Sequence, residues 1–232
     1  MMDRTKIESL VGTKINNLNL YTRAFTHKSA LKQYPLKDDY ETLEFMGDSV
    51  LGFVITKYLF DKYSDENEGF LTRARTKIVR SGTLARIAKE LGLGELILMD
   101  EKGIRNSWNY NPKILEDCLE ALIGAIYLDL GMIYARNFII TIIEKSNVSL
   151  EDDNYKDQIM RYCQAMKYDF PEYKVMSFSN GTFAVELTMN GFPCGNGYAS
   201  TKKQAEQNAA QMALKTMNLK IPSYASKGPD TY

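Results

Sequence analysis

The sequence predicts a mostly α protein, an all-helical domain followed by a small α+β domain of order helix–strand–strand–strand–helix. Two observations carry this. From residue 5 to residue 145 apolar positions recur at three- and four-residue spacing, with no strand-like alternation. After an acidic stretch the period changes to two, between two further helical segments. A length of 232 residues suits a larger and a smaller domain, and 44% hydrophobic with 25% charged residues is ordinary for a folded chain.

In the first part the helical period is clearest over 39–62, 83–90, 111–130 and 134–144. We place this domain at 1–147 and take the polar, acidic stretch 148–153 as a linker. Residues 155–166 then read as a helix, ended by the Phe170-Pro171 step, because the residue before proline avoids helical angles. Strands are expected at 173–177 and 182–189, joined through Asn180-Gly181, and a short third strand at 195–199 follows the Asn190-Gly191 turn. A last helix spans 201–217 with Ser200 or Thr201 as its N-cap. The second domain thus occupies 154–220, and 221–232, with its Pro, Ser and Gly, reads as a flexible tail.

Several classes are excluded early. The N-terminal ten residues lack a signal-peptide pattern, and the apolar runs at 121–130 and 138–143 are far shorter than the ~20 residues a membrane span needs. Cys118, Cys163 and Cys194 are odd in number and widely spaced, so free thiols in the cytoplasm or another reducing intracellular compartment are expected. No motif for a small-molecule cofactor is present, and Tyr21, Trp108 and the aromatic residues generally read as core. Net charge is zero, yet 154–220 holds eight Lys/Arg against five Asp/Glu, a local +3. Function must therefore be read from local constellations.

The strongest of these is ETLEFMGDSVL, 41–51, where Glu44 and Asp48 stand four apart on one helix face and Glu41 adds an acid one turn earlier. In ILEDCLEALIGAIYLD, 114–129, Asp117 and Glu120 stand three apart on another helix. Stacked carboxylates repel, and a divalent cation relieves the repulsion. Four oxygen donors suit Mg²⁺ or Mn²⁺ rather than zinc. Solvated acids on amphipathic helices are the competing reading, and spacing alone leaves both open. The apolar flanks, Leu43, Phe45, Met46, Leu119 and Leu122 among them, weigh towards partnered carboxylates.

These two segments, with FTHKSA (25–30) and EGFLTRARTKIVRSGTLA (68–85), resemble the ribonuclease III family over nearly the whole chain. The resemblance implies a homodimer whose paired nuclease domains hold duplex RNA, with one active site per strand. It implies metal ligation by Glu44, Asp48, Asp117 and Glu120, with Asp48 and Glu120 central to catalysis, and Glu41 and Glu68 as accessory acids. Phe45 matches a residue that plugs a cavity on the partner subunit; a place in its own subunit's core is the other reading. Lys113, one turn before Asp117, matches a lysine able to neutralise a phosphate. Arg73, Arg75, Lys77 and Arg80 are further candidate phosphate contacts or a solvated face. The single histidine, His27, reads as structural, so a histidine acid–base pair is unavailable. Products would carry a 5′-phosphate and a short 3′ overhang.

STKKQAEQNAAQMAL, 200–214, resembles the last helix of a double-stranded-RNA-binding domain, with PEY (171–173) and Gly195–Gly197 as further markers. Lysines at a helix N-terminus oppose the macrodipole unless an anion binds there, so Lys202 and Lys203 read as a phosphate clamp. First-helix contacts map to Gln158 and Gln164, with Met160 standing where a polar residue is common. The short 177–182 loop lacks the Gly-Pro-x-His element, which implies a weaker second groove contact. A non-cleaving protein that sequesters duplex RNA is the alternative function; the presence of all four acids weighs against it.

Overall fold

The computed structural model describes residues 2–150 and 153–218, which form two compact units, the first ending at Leu150. The acidic pair Glu151 and Asp152, and the expected tail 221–232, lie outside the described residues.

The first unit holds α1 (Arg4–Val11), α2 (Leu18–Ala24), α3 (Glu41–Lys62), α4 (Glu68–Val79), α5 (Ser81–Glu90), α6 (Glu101–Arg105), α7 (Pro112–Leu130) and α8 (Met132–Lys145). Its organising element is α7. Asn111 caps it by accepting from Lys113 N, Pro112 occupies the first helical position, and every residue from Leu115 to Ile126 is buried. A helix buried on all sides belongs at the centre of a bundle, and α2, α3, α5 and α8 surround it. Val148 and Leu150 pack on this core, so ordered structure runs past the expected domain end at residue 147.

Two glycines set how closely α3 and α7 cross. A Cβ on Gly47 would lie 1.7 Å from the Glu120 carbonyl oxygen, and one on Gly124 would lie 2.3 Å from that of Leu43. Only hydrogens fit between the two backbones. At the far end of α7, Asp129 accepts from Asn16 N, Asn17 N and the Tyr21 hydroxyl, tying the α2 entry to the central helix.

The second unit has α9 (Tyr155–Met166), the antiparallel sheet β1-β2-β3 (Glu172–Ser179, Thr182–Met189, Phe192–Ala199) and α10 (Lys202–Thr216). Both hairpins turn on Asn-Gly pairs at positive φ, Asn180 (50°) with Gly181 (73°) and Asn190 (49°) with Gly191 (78°), the handedness that matches strand twist. Ala205, Ala209, Ala210 and Ala213 bury a small-residue face of α10 against the sheet and α9. Val185, Leu187 and Met189 supply the sheet's side of that core.

Three expectations need correction. First, α9 spans Tyr155–Met166 as expected, but Phe170-Pro171, four residues further on, is not what ends it. Lys167 turns left-handed at φ 57°, its N–H and that of Tyr168 closing on Gln164 and Cys163 carbonyls. Second, β3 begins at Phe192 rather than near Gly195; Pro193 is tolerated because β3 is an edge strand and the register shifts there. Third, Trp108 is not core. It sits 40% exposed in a short 3₁₀ turn, and Phe45, Phe53 and Phe60 are also exposed, whereas Tyr21 is fully buried.

Candidate functional site

Close crossing of α3 and α7 brings acids from both helices together. Carboxylate oxygens of Glu44, Asp117 and Glu120 all lie within 4.8 Å of one another. Asp117 and Glu120 are buried, at 8% and 6% exposure, and Glu44 is half-buried. Burial first, and the Asp117 charge second, raise the Glu44 carboxyl above its usual range. Glu120 is pushed up to about 8, by burial and then by the charges of Asp48 and Glu116. Without a metal, burial and the neighbouring charges thus favour the protonated form of Glu120.

Asp48 is exposed and stands outside the group of three, although its charge acts on Glu120. Four residues along a helix is a rise of ~6 Å, and the aspartate side chain is one methylene shorter than that of Glu44. Glu41, also exposed, pairs with Lys28 at 3.3 Å, while Glu68 opens α4 and accepts from the Thr72 hydroxyl. Neither joins the cluster.

Lys113 leans over it, its Nζ 2.7 Å from Asp117 Oδ1, 3.5 Å from Glu116 Oε2 and 3.9 Å from Glu44 Oε1. Glu116 is a site residue that the sequence reading misses. It is buried at 8% exposure and accepts a 2.6 Å hydrogen bond from Ser81 at the start of α5. The signal that could have found it is its position between Lys113 and Glu120 on one helix, three and four residues from each.

A divalent ion fits this donor set. Asp117 Oδ1 is buried, and the group that meets it is the Lys113 ammonium at 2.7 Å. Buried carboxylates call for a cation, and in the metal-free protein Lys113 supplies that charge. All the donors are carboxylate oxygens, which suit a hard cation. His27 is spent elsewhere, its Nδ1 against the Ser29 hydroxyl and backbone N–H, with burial lowering its pKa.

Phe45 is 76% exposed, which removes the own-core reading. Phe53 and Phe60, at eight- and seven-residue steps, extend an apolar stripe along the same side of α3. In the second unit Lys202 and Lys203 are exposed in the first turn of α10, where Thr201 caps by accepting from Gln204 N. Lys202 reaches Glu206 only at 3.9 Å. On α9, Gln164 is exposed and Gln158 and Met160 are half-buried. The loop between β1 and β2 is a two-residue turn, which leaves a short tip there. Arg75 and Arg80 are exposed on the first unit. Among the described residues no helix is long and apolar enough to cross a membrane.

Comparison with known proteins agrees with this division. The family model described as Ribonuclease-III-like matches residues 17–146, and that for the double-stranded RNA binding motif matches 155–217. A protein of Paramecium bursaria Chlorella virus 1, named putative protein A464R, is 38% identical over 94% of this chain and 81% of its own. Ribonuclease 3 of Chlorobaculum tepidum is 36% identical over 94% of this chain and 87% of its own. Among solved structures, the nuclease domain of ribonuclease III from Campylobacter jejuni matches 62% of this chain and 99% of its own, at 39% identity and a TM-score of 0.58.

Proposed function

The chain belongs to the ribonuclease III family and is a ribonuclease III enzyme, and from this we propose a metal-dependent, homodimeric endonuclease that cuts both strands of duplex RNA. One observation carries the metal reading: three carboxylates from two helices, two of them buried, bring oxygens within 4.8 Å of one another. Glu44, Asp117 and Glu120 would hold the ion, Mg²⁺ or Mn²⁺, and Asp48 completes its acidic rim. Divalent ions at such a site activate a water and steady the leaving oxygen of an in-line phosphodiester displacement. Glu120 would hold the ion as its carboxylate. Lys113 faces the incoming phosphate. The products then carry a 5′-phosphate and a short 3′ overhang, as the family resemblance implies. Glu41 and Glu68, exposed and outside the cluster, serve as accessory acids near the RNA.

The second unit supplies grip. Lys202 and Lys203, at the N-terminus of α10, clamp phosphates, and Gln158 and Gln164 on α9 meet the minor groove. Replacing both lysines with alanine is expected to weaken duplex binding and to flatten its salt dependence, since each phosphate contact releases a counterion. Binding measured at several salt concentrations checks this; an unaltered slope removes the lysines from the interface.

The stripe Phe45, Phe53 and Phe60 supports a second copy of the chain as the partner of α3. The Campylobacter jejuni nuclease-domain structure is described by its region involved in dimer formation. Phe45→Ala should raise the dimer dissociation constant by about 10-fold or more, as loss of a large buried anchor costs ≥ 1–2 kcal/mol. Sedimentation that finds an undiminished dimer at low concentration counts against the stripe.

The decisive test is incubation of long duplex RNA with the purified protein in Mg²⁺, in Mn²⁺ and in EDTA. Cleavage that stops in EDTA supports the reading. Binding without cleavage in either metal would make the protein a duplex-sequestering one instead.

A further inference from the structure

Lys113 stands where a cation is disfavoured by the backbone, in the first turn of α7, at the positive end of that helix's dipole. What holds it there is the carboxylate set, Asp117 at 2.7 Å, Glu116 at 3.5 Å and Glu44 at 3.9 Å. Two of these partners are in the group suited to an ion and one is not. Glu116 is the odd one. It is buried, its Oε2 is pinned by the Ser81 hydroxyl at 2.6 Å, and that same oxygen is the one nearest Lys113. The metal reading leaves this anchored carboxylate without a task.

We propose that Lys113 is the resident counter-ion of the cluster, leaving Asp117 when a divalent ion enters, and that Ser81-anchored Glu116 is its second seat. The inference rests on the metal reading above. Both seats are reachable from one lysine position, because Glu116 and Asp117 are three and four residues further along the helix. A lysine that moves only from Asp117 to Glu116 stays beside the ion instead of swinging into solvent. Glu116 is a positioning residue in this arrangement and ligates nothing.

The test measures Mn²⁺ binding by calorimetry together with metal-free melting temperature, on the full chain, for wild type, Lys113→Met, Glu116→Gln and the double variant. Lys113→Met removes the competitor, so Mn²⁺ should bind about two- to fivefold more tightly, in line with loss of a partly exposed ion pair. The same variant should melt lower in EDTA, with its carboxylates uncompensated. Glu116→Gln removes the second seat and should weaken Mn²⁺ binding, but only while Lys113 is present. Mn²⁺ binding that Lys113→Met leaves unchanged or weakens overturns the proposal. So does a Glu116→Gln effect of equal size in the Lys113→Met background, the mark of a purely local charge. Absence of Mn²⁺ binding by all four proteins would instead overturn the metal reading itself.

Discussion

Gly47→Ala is expected to cost the nuclease unit at least about 3 kcal/mol, more than the 1–3 kcal/mol usual for an added methyl in a packed core. The reason is what the methyl meets. Its carbon would lie 1.7 Å from the Glu120 carbonyl oxygen and 2.5 Å from the carbonyl carbon, both backbone atoms of the central helix. A flexible side chain can rotate aside; a helix backbone buried on every side cannot. The gain in helix propensity from Gly to Ala, ~1 kcal/mol, offsets only part. In thermal unfolding the first transition should fall by about 6–12 °C, taking 2–4 °C per kcal/mol. Gly124→Ala, whose methyl would meet the Leu43 carbonyl at 2.3 Å, should behave alike. Gly82→Ala is the control: its Cβ meets nothing within 4 Å, and its melting temperature should hold or rise. If Gly47→Ala melts like Gly82→Ala, the close crossing of α3 and α7 is wrong. Because the crossing also sets Glu44 against Asp117 and Glu120, Gly47→Ala protein that stays soluble should bind Mn²⁺ poorly.

How much of this is legible in the sequence depends on whether a feature lives on one element or between two. The helical period, the Asn-Gly hairpins and the Lys202-Lys203 pair are local, and each is visible in the order of residues. So are Glu44, Asp117 and Glu120 as candidate acids. The spacing on α3 puts Asp48 beside them; which acid faces α7 is decided by the crossing. The crossing depends on Gly47 and Gly124, and a glycine in a helical pattern reads only as a weak spot until its neighbour is known. Glu116 and Ser81 are 35 residues apart and meet only in three dimensions. The end of α9 at Met166 is legible, but what ends it is not. Lys167 carries a left-handed turn that glycine or asparagine would have announced, so the proline further on is taken for the stop signal. Trp108 is expected in the core on its size alone, and the 3₁₀ turn that lifts it into solvent has no marker in the sequence.

Glu120→Gln should separate three properties that the wild-type protein combines. Cleavage should fall by more than about 10²-fold, because even outer partners of a metal ligand commonly cost 10–100-fold and Glu120 is proposed as a ligand itself. Duplex binding should persist, since the lysine clamp is in the other unit. Stability of the metal-free protein should move the opposite way from activity. Glu120 is raised in the folded state to about 8, against an ordinary carboxyl value of 4.5. A group raised in this way contributes stability that is fully present below pH 4.5 and is lost as pH climbs through 8, because the folded state must then give up a proton it holds tightly. Wild type in EDTA should therefore melt progressively lower from about pH 5 to about pH 9, and Glu120→Gln, which has nothing there to ionise, should show a flatter decline. At about pH 8.5 the variant should melt higher than wild type, by about 2–4 °C for each kcal/mol regained. Mg²⁺ reverses the order, stabilising wild type by occupying the ionised cluster and doing little for the variant. Equal pH slopes in EDTA for the two proteins would mean that Glu120 ionises freely, and the buried proton at the centre of the site would have to be abandoned.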